Sequence, residues 1–417
     1  MRPATGRYVV LGSALAVFAF KVWLAVHTFG TNDVTTFMAF ARGVREHGPV
    51  GIYGIDFRAL PGHWLYNHPP LIGFYLQAIN VLSDHGIPLR VTLRTVSSAA
   101  DVITGLVVFE FLRRRVSVAR ACYCGVAVVA SPLLLLTSGY HGNTDPLCLM
   151  LVLLGSFLII DEPRPFWGGL ALGLAVGIKL IAVVVLPVLA VYLLVHRRRE
   201  LARAAVGFAG TVGLSWGPAV VTHWTALLHH VFGYSGIGNR GWGLVRFADE
   251  AEWHQASNFL VGPGSHLLPL LAASLPALLV WRAGDKAMEA VALSLVGTLV
   301  LLPAFALQYL SWAAAGAFLL APLSATLYNL LGGLILFEVY RHWNYGVWTH
   351  IARARPPMQQ TFWLLALLWA TLVTVLFTGA RRALPTISAD SSSTPIPTPS
   401  SRARPAEPKP PPAHAHP

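Results

Sequence analysis

Apolar residues in this chain come in long runs, separated by short segments rich in arginine, glycine or histidine. The first run, "YVVLGSALAVFAFKVWLAV" (8–26), sets the type. A run of ~20 apolar residues is what an α-helix needs to cross a bilayer. The pattern predicts spans near 8–26, 96–112, 118–138, 146–160, 204–222, 264–281, 287–305 and 360–378. Two further runs are too long for one helix each. Residues 166–196 read as a hairpin of two short helices with Lys179 near its tip, and 309–340, broken by Pro322, as an inward and an outward span. The total is about twelve spans. The piece "PLIGFYLQAINVLS" (70–83) is too short to cross and reads as re-entrant or interfacial. The first run is longer than a signal-peptide core and reads as a retained helix.

Charge orients this pattern. "RRR" at 113–115 and at 197–199, Arg282 with Lys286, and Arg381 with Arg382 are placed in the cytoplasm by the positive-inside rule. Both termini then lie inside, and two long loops, 30–95 and 223–263, lie outside. The rule is strained at 341–357, which falls outside despite its arginines, although its aromatics suit an interface. Composition agrees with a membrane protein: 55% hydrophobic and 12% charged residues leave too little polar surface for a water-soluble fold. A net charge of +12 invites a nucleic-acid partner, but the basic residues sit in short inter-span segments and the tail, so no nucleic acid is expected. Cys122, Cys124 and Cys148 lie in or beside apolar runs, where they can form neither a disulfide framework nor a zinc site, and read as packing residues. Residues 1–383 form one membrane domain. From 384 the chain becomes a Pro/Ser-rich segment expected to be a disordered cytoplasmic tail.

This topology collects the unusual polar residues on the outer side. They are Asp33 in "TNDVTTF", His63, Asn67 and His68 in "GHWLYNHPP", His141, Asn143 and Asp145 in "SGYHGNTDPL", Lys179, Arg240 in "GNRGWGL", and Gln308 with Tyr309 in "QYLSW". Ionisable groups at membrane depth are costly and tend to mark function. A carboxylate there can take a proton from an acceptor hydroxyl while cations and amides hold a phosphate leaving group, directly or through a metal. Asp101 and Glu110, nine apart in one span, read as bonds to neighbouring helices or as part of a lipid tunnel, not as catalytic groups.

Five segments in order carry a resemblance to a known family. They are Asp33 just after the first helix, "YNHPPL", "SGYHGNTDPL", "GLAVGIKLIAVVVLP" and "QYLSWAAAGAFLLAP". Over roughly residues 8–380 the chain resembles the GT-C superfamily of polyprenyl-phosphate-sugar-dependent membrane glycosyltransferases. It looks most like bacterial relatives of glycosylphosphatidylinositol mannosyltransferase I and of the glucosyltransferases of lipid-linked oligosaccharide assembly. The resemblance implies an all-α, GT-C-like bundle in the cytoplasmic membrane with its active site facing outward. It implies inverting transfer of a hexose, mannose being one candidate, from a polyprenyl phosphate to a glycan or glycolipid acceptor.

By that resemblance Asp33 would be the catalytic base, the alternative being a helix cap. Asp145, Lys179, Arg240, Gln308 and Tyr309 would face the donor and its phosphate. Asp145 could equally start a helix in "NTDP", Lys179 could snorkel to the interface, and Tyr309 could be an interfacial aromatic. His63, Asn67, His68 and His141 would be acceptor-side candidates. Relatives often carry two acids where this chain has His141 and one aspartate. The metal is therefore left open: a Mg or Mn ion, if one is used, would sit at Asp145. A lipid-linked sugar flippase is the alternative from another class. Transporters are commonly built from paired internal repeats, none of which is seen here, and the two long outer loops favour an enzyme.

Overall fold

A computed structural model of the chain describes residues 1–57, 65–234, 242–342 and 358–384, with backbone alone for 358–361; every regular element among them is helical. In chain order these are α1 (Pro3–His27), α2 (Asn32–Gly51), α3 (Leu71–Asp84), α4 (Leu89–Leu112), α5 (Val118–Val129), α6 (Pro132–Leu136), α7 (Asp145–Ile160), α8 (Pro165–Ile178) and α9 (Leu186–His196). They continue with α10 (Arg198–Ala226), α11 (Leu244–Glu250), α12 (His254–Val261), α13 (Gly264–Arg282), α14 (Ala287–Leu301), α15 (Ser311–Ala314), α16 (Gly316–Leu320), α17 (Pro322–His342) and α18 (Met358–Ala383). The expected segment 341–357 beyond His342, and the tail from 385, lie outside the described residues.

Among the described residues, seven helices are long and apolar enough to cross a membrane: Pro3–His27, Leu89–Leu112, Val118–His141, Arg198–Phe232, Gly264–Arg282, Pro322–His342 and Phe362–Ala383. The chain is an all-α, multi-pass membrane protein. The twelve expected segments correspond to these seven and to five shorter apolar helices: α7, α8, α9, the 307–320 segment and the fifteen-residue α14. Short helices are tolerated at membrane depth where their ends are buried in protein, since neighbours can then satisfy the freed backbone groups. α14 illustrates this, with most of its side chains buried.

The 166–196 run leaves and returns to the same end, as its pattern predicts. α8 packs in parallel with α10: a Cβ on Gly169 would strike the Ala204 carbonyl, and a Cβ on Gly177 would come near Ser215 Oγ. Small residues at such a crossing let backbones approach, which is how helices gain packing where lipid supplies no hydrophobic drive. The two arms do not form a paired hairpin: α8 lies mainly on α7 and α10, and α9 mainly on α13.

Arginine-rich ends of several helices gather at one end of the bundle. Glu110 of α4 pairs with Arg7 of α1 and, at 2.5 Å, with Arg113. Arg114 pairs with Glu162, and Arg115 with Asp161 at 2.7 Å. Further along α4, Asp101 accepts hydrogen bonds from Lys21 of α1 (2.6 Å) and Ser138 (2.6 Å) in a closed setting. Both acids therefore bond to neighbouring helices. Cys122, Cys124 and Cys148 are free and buried.

Candidate active site

At the opposite end of the bundle, two turns meet. Thr31 caps α2, its hydroxyl accepting from the Asp33 backbone N–H at 3.3 Å, so Asp33 itself falls in the first turn. The same Thr31 hydroxyl donates to the His141 carbonyl at 2.9 Å, binding the entry of α2 to the segment after α6. That segment, Thr137–His141, is one turn of π-helix closed by Gly142 in the left-handed region (φ 85°). A Cβ on Gly142 would approach a Val34 methyl to 2.5 Å, so both its backbone angle and its space favour glycine. Arg94, fully buried, holds the corner from α4 by donating to the carbonyls of Ala25 and Thr28 and to the Thr28 hydroxyl (2.5–2.9 Å).

These turns place His141 Nε2 2.9 Å from Asp33 Oδ2. The other ring nitrogen of His141 lies 2.7 Å from the Tyr340 hydroxyl of α17. Gln308 Nε2 donates to the same Asp33 oxygen at 3.4 Å. Asp33 Oδ1 takes no hydrogen bond among the described residues, and the Asp33 side chain is 30% exposed. Burial pushes the Asp33 carboxyl up, but His141, by charge and hydrogen bond, together with the charge of Lys179, outweighs it. The group is held below the usual carboxylate range.

A second carboxylate, Asp145, starts α7. Its backbone N–H donates to Asn143 Oδ1 at 3.1 Å, an Asx-type turn leading into the helix, whose N-cap is Thr144, and Asp145 occupies the first turn ahead of Pro146. Helix entry and a place in the site coexist at this residue. Its two oxygens are occupied separately: Oδ2 by Lys179, and Oδ1 by the Trp312 indole N–H at 2.6 Å. Asp145 is 0% exposed and Lys179 16%. Lys179 reaches this position because it is an extended residue (φ −155°, ψ 139°) between α8 and the 3₁₀ segment Leu180–Val185. Its ammonium sits 5.2 Å from the centroid of the Tyr309 ring, which in turn stacks on Trp312 at 4.0 Å.

His68 completes the cluster. Its ring lies 5.1 Å from that of Phe37, and its carbonyl accepts from the Tyr53 hydroxyl at 2.6 Å. Burial, with Lys179 adding to it, pushes its imidazole down to about 3, so His68 is neutral at physiological pH. It can donate or accept one hydrogen bond there but cannot serve as a cation. Asn67 is half-buried beside it. Asp33, His68, His141, Asp145, Lys179, Gln308 and Tyr309 thus meet at one end of the bundle. His63 and Arg240 lie outside the described residues. Tyr340 and Trp312 were not singled out from sequence as site residues, because an aromatic near the end of an apolar run reads as an interfacial anchor.

The residues around Asp145 do not fit a divalent ion. Both carboxylate oxygens are occupied, and no group of three His, Cys, Asp or Glu side chains suited to a metal occurs among the described residues. No step below is routed through one.

The family model of glycosyltransferase family 87 matches residues 64–304, more than half of the chain. The match includes His68, His141, Asp145 and Lys179, and leaves Asp33, Gln308, Tyr309 and Tyr340 outside. It supports the GT-C type and an enzymatic role, and gives the flippase reading no support. No curated protein matches the sequence.

Proposed function

The chain belongs to glycosyltransferase family 87, and from that premise we propose that it transfers a hexose, mannose being one candidate, from a polyprenyl phosphate to a glycan or glycolipid acceptor with inversion at the anomeric carbon. The observation that carries this reading is the partly exposed Asp33 carboxylate beside the Lys179–Asp145 pair. The positive-inside rule puts the arginine-rich end in the cytoplasm and this site on the outer side of the cytoplasmic membrane.

In the proposed reaction Asp33 accepts the proton of the acceptor hydroxyl as its oxygen bonds to the anomeric carbon. The bond from that carbon to the phosphate oxygen breaks, and its electron pair leaves with the polyprenyl phosphate. The low basicity of Asp33 keeps it ionised at neutral pH, and proton transfer accompanies C–O bond formation instead of preceding it. His141, oriented by Tyr340, holds Oδ2 so that Oδ1 meets the hydroxyl. Lys179 stabilises negative charge developing on the leaving phosphate, where a pre-placed cation has its largest effect. Asp145 contributes by holding Lys179 in place, since its own oxygens are occupied. Gln308 steadies Asp33, and Tyr309 offers an aromatic face beside the lysine. Asn67 and His68 serve the acceptor; Arg240, expected to bind the phosphate, and His63, expected to bind the acceptor, lie outside the described residues.

Purified full-length protein supplied with a panel of polyprenyl-phosphate hexoses and a glycolipid acceptor should release polyprenyl phosphate from at least one donor. The product should carry the anomeric configuration opposite to that donor's. Absence of turnover across the panel, or retention of configuration, would count against the reading.

A further inference from the structure

A second cavity, of about 420 Å³, opens at the arginine-rich end of the bundle where α4, α5, α14, α16 and α18 meet. Its size falls in the roughly 300–1,000 Å³ range of small-molecule sites. Leu112, Val116 and Phe318 give it apolar walls, and three charged side chains join them: Arg120, Arg382 and Glu289. Arg120 forms no ion pair among the described residues. Arg382 donates Nη1 to the Leu320 carbonyl at 3.0 Å, which leaves its other N–H groups for a ligand. Glu289 Oε2 is sealed from solvent and has no hydrogen-bond partner among the described residues. Glu289 is the one acid of the wall and offers a ligand cation a counter-charge.

We propose that this cavity binds the headgroup of an aminophospholipid, with the phosphate on Arg120 and Arg382 and the primary ammonium on Glu289. The charges of the wall, two guanidinium groups and one carboxylate, are opposite in sign to the phosphate and the ammonium of a phosphoethanolamine group. Basic pockets between membrane helices on the cytoplasmic side recognise phospholipid headgroups in this way. A free phosphate would leave the apolar walls without a partner. A purely anionic headgroup would set its negative charge beside the Glu289 carboxylate with no cation to offset it. A choline headgroup carries no N–H to give it. The volume is too small for a whole phospholipid, so the cavity takes the headgroup and glycerol while the acyl chains lie along the helices. This site is separate from the transferase centre at the other end of the bundle, and its test does not depend on the proposed donor.

The test uses full-length protein reconstituted in nanodiscs of phosphatidylethanolamine, phosphatidylglycerol or phosphatidylcholine, together with mass spectrometry of the lipid that co-purifies in mild detergent. Wild type should retain phosphatidylethanolamine about ten-fold above the level held by Arg120→Gln/Arg382→Gln, the loss of a charge-assisted contact being of that order. It should also melt higher in phosphatidylethanolamine than in the other two lipids. Glu289→Gln should keep lipid bound but bring the ethanolamine-to-glycerol preference to about one. Because Arg382 also ties α18 to α16, Arg120→Gln alone decides the matter if the double variant does not fold. Equal retention by wild type and Arg120→Gln, phosphatidylcholine serving as well as phosphatidylethanolamine, or a preference unmoved by Glu289→Gln would each overturn the assignment.

Discussion

Lys21–Asp101 and Lys179–Asp145 are both lysine–aspartate pairs between elements of the bundle, and in each the carboxylate takes one further donor: Ser138 in the first pair, Trp312 in the second. They differ in access. Lys21 and Asp101 are 1% and 5% exposed, whereas Lys179 is 16% exposed, lies against the Tyr309 ring and acts on the charge of Asp33. The first pair has both charges closed in and can only fasten α1 to α4. The second leaves its cation partly open beside a carboxylate that is also open. Ionisable residues at membrane depth mark function by default; on the proposed reading, accessibility and not residue type separates a fastening from a site.

Breaking the sealed pair should give the largest effect. Asp101→Asn leaves Lys21 buried without its counter-charge and should cost about 3–5 kcal/mol of stability, read as a lowered melting temperature of the reconstituted protein. Replacing both partners by apolar residues of similar volume, Lys21→Met/Asp101→Leu, should restore most of that stability and leave turnover within about three-fold of wild type. The same exchange at the second pair, Lys179→Met/Asp145→Leu, should fold but lower turnover by about 10²–10³-fold, because the cation facing the leaving phosphate is gone. If both double variants behaved alike, the distinction between the pairs would fail.

A smaller effect is expected at His141. The Asp33 carboxyl is held down by this neighbour, so activity should persist below the ordinary carboxylate range and fall as pH drops through the depressed value. In His141→Gln that support is lost and the Asp33 value rises. The acid limb of the kcat/KM profile should therefore move to higher pH, while the melting temperature changes little. An acid limb that stays in place would separate His141 from the ionisation of Asp33. Tyr340→Phe, which removes only the hydrogen bond to the far ring nitrogen, should reduce kcat by a few-fold, the smallest effect in the series.

Much of this arrangement was legible in the chain. The apolar runs located α5–α6, α7 and α13 to within a few residues, and the basic segments placed Lys179 at a tip between two helices. Charge alone put Asp33, His141 and Asp145 at one end of the bundle, because each follows or precedes a run whose other end is rich in arginine. Pairing within that end was not legible. The hydrogen bonds of Asp145 to Trp312 and of His141 to Tyr340 join positions 167 and 199 residues apart, and no periodicity encodes contacts at such separation. Arg94 and Lys21 were missed for a related reason. Lys21 sits among apolar neighbours, Arg94 falls in what reads as the outer loop although α4 begins at Leu89, and only the three-dimensional positions of Thr28 and Asp101 show what satisfies them. Run length located the apolar segments but not which of them would be short, because burial inside protein lets a helix of fifteen residues stand where a lipid-facing one needs ~20.

The central claim is that Asp33 is the base of a glycosyl transfer and does not hold the donor. It is tested most directly by Asp33→Asn, with donor binding and single-turnover transfer measured on the same reconstituted sample. The account predicts donor affinity within about three-fold of wild type and a transfer rate lower by about 10³-fold, in the range of a lost general base. Transfer at the wild-type rate, or a loss of rate explained wholly by lost donor binding, would contradict it.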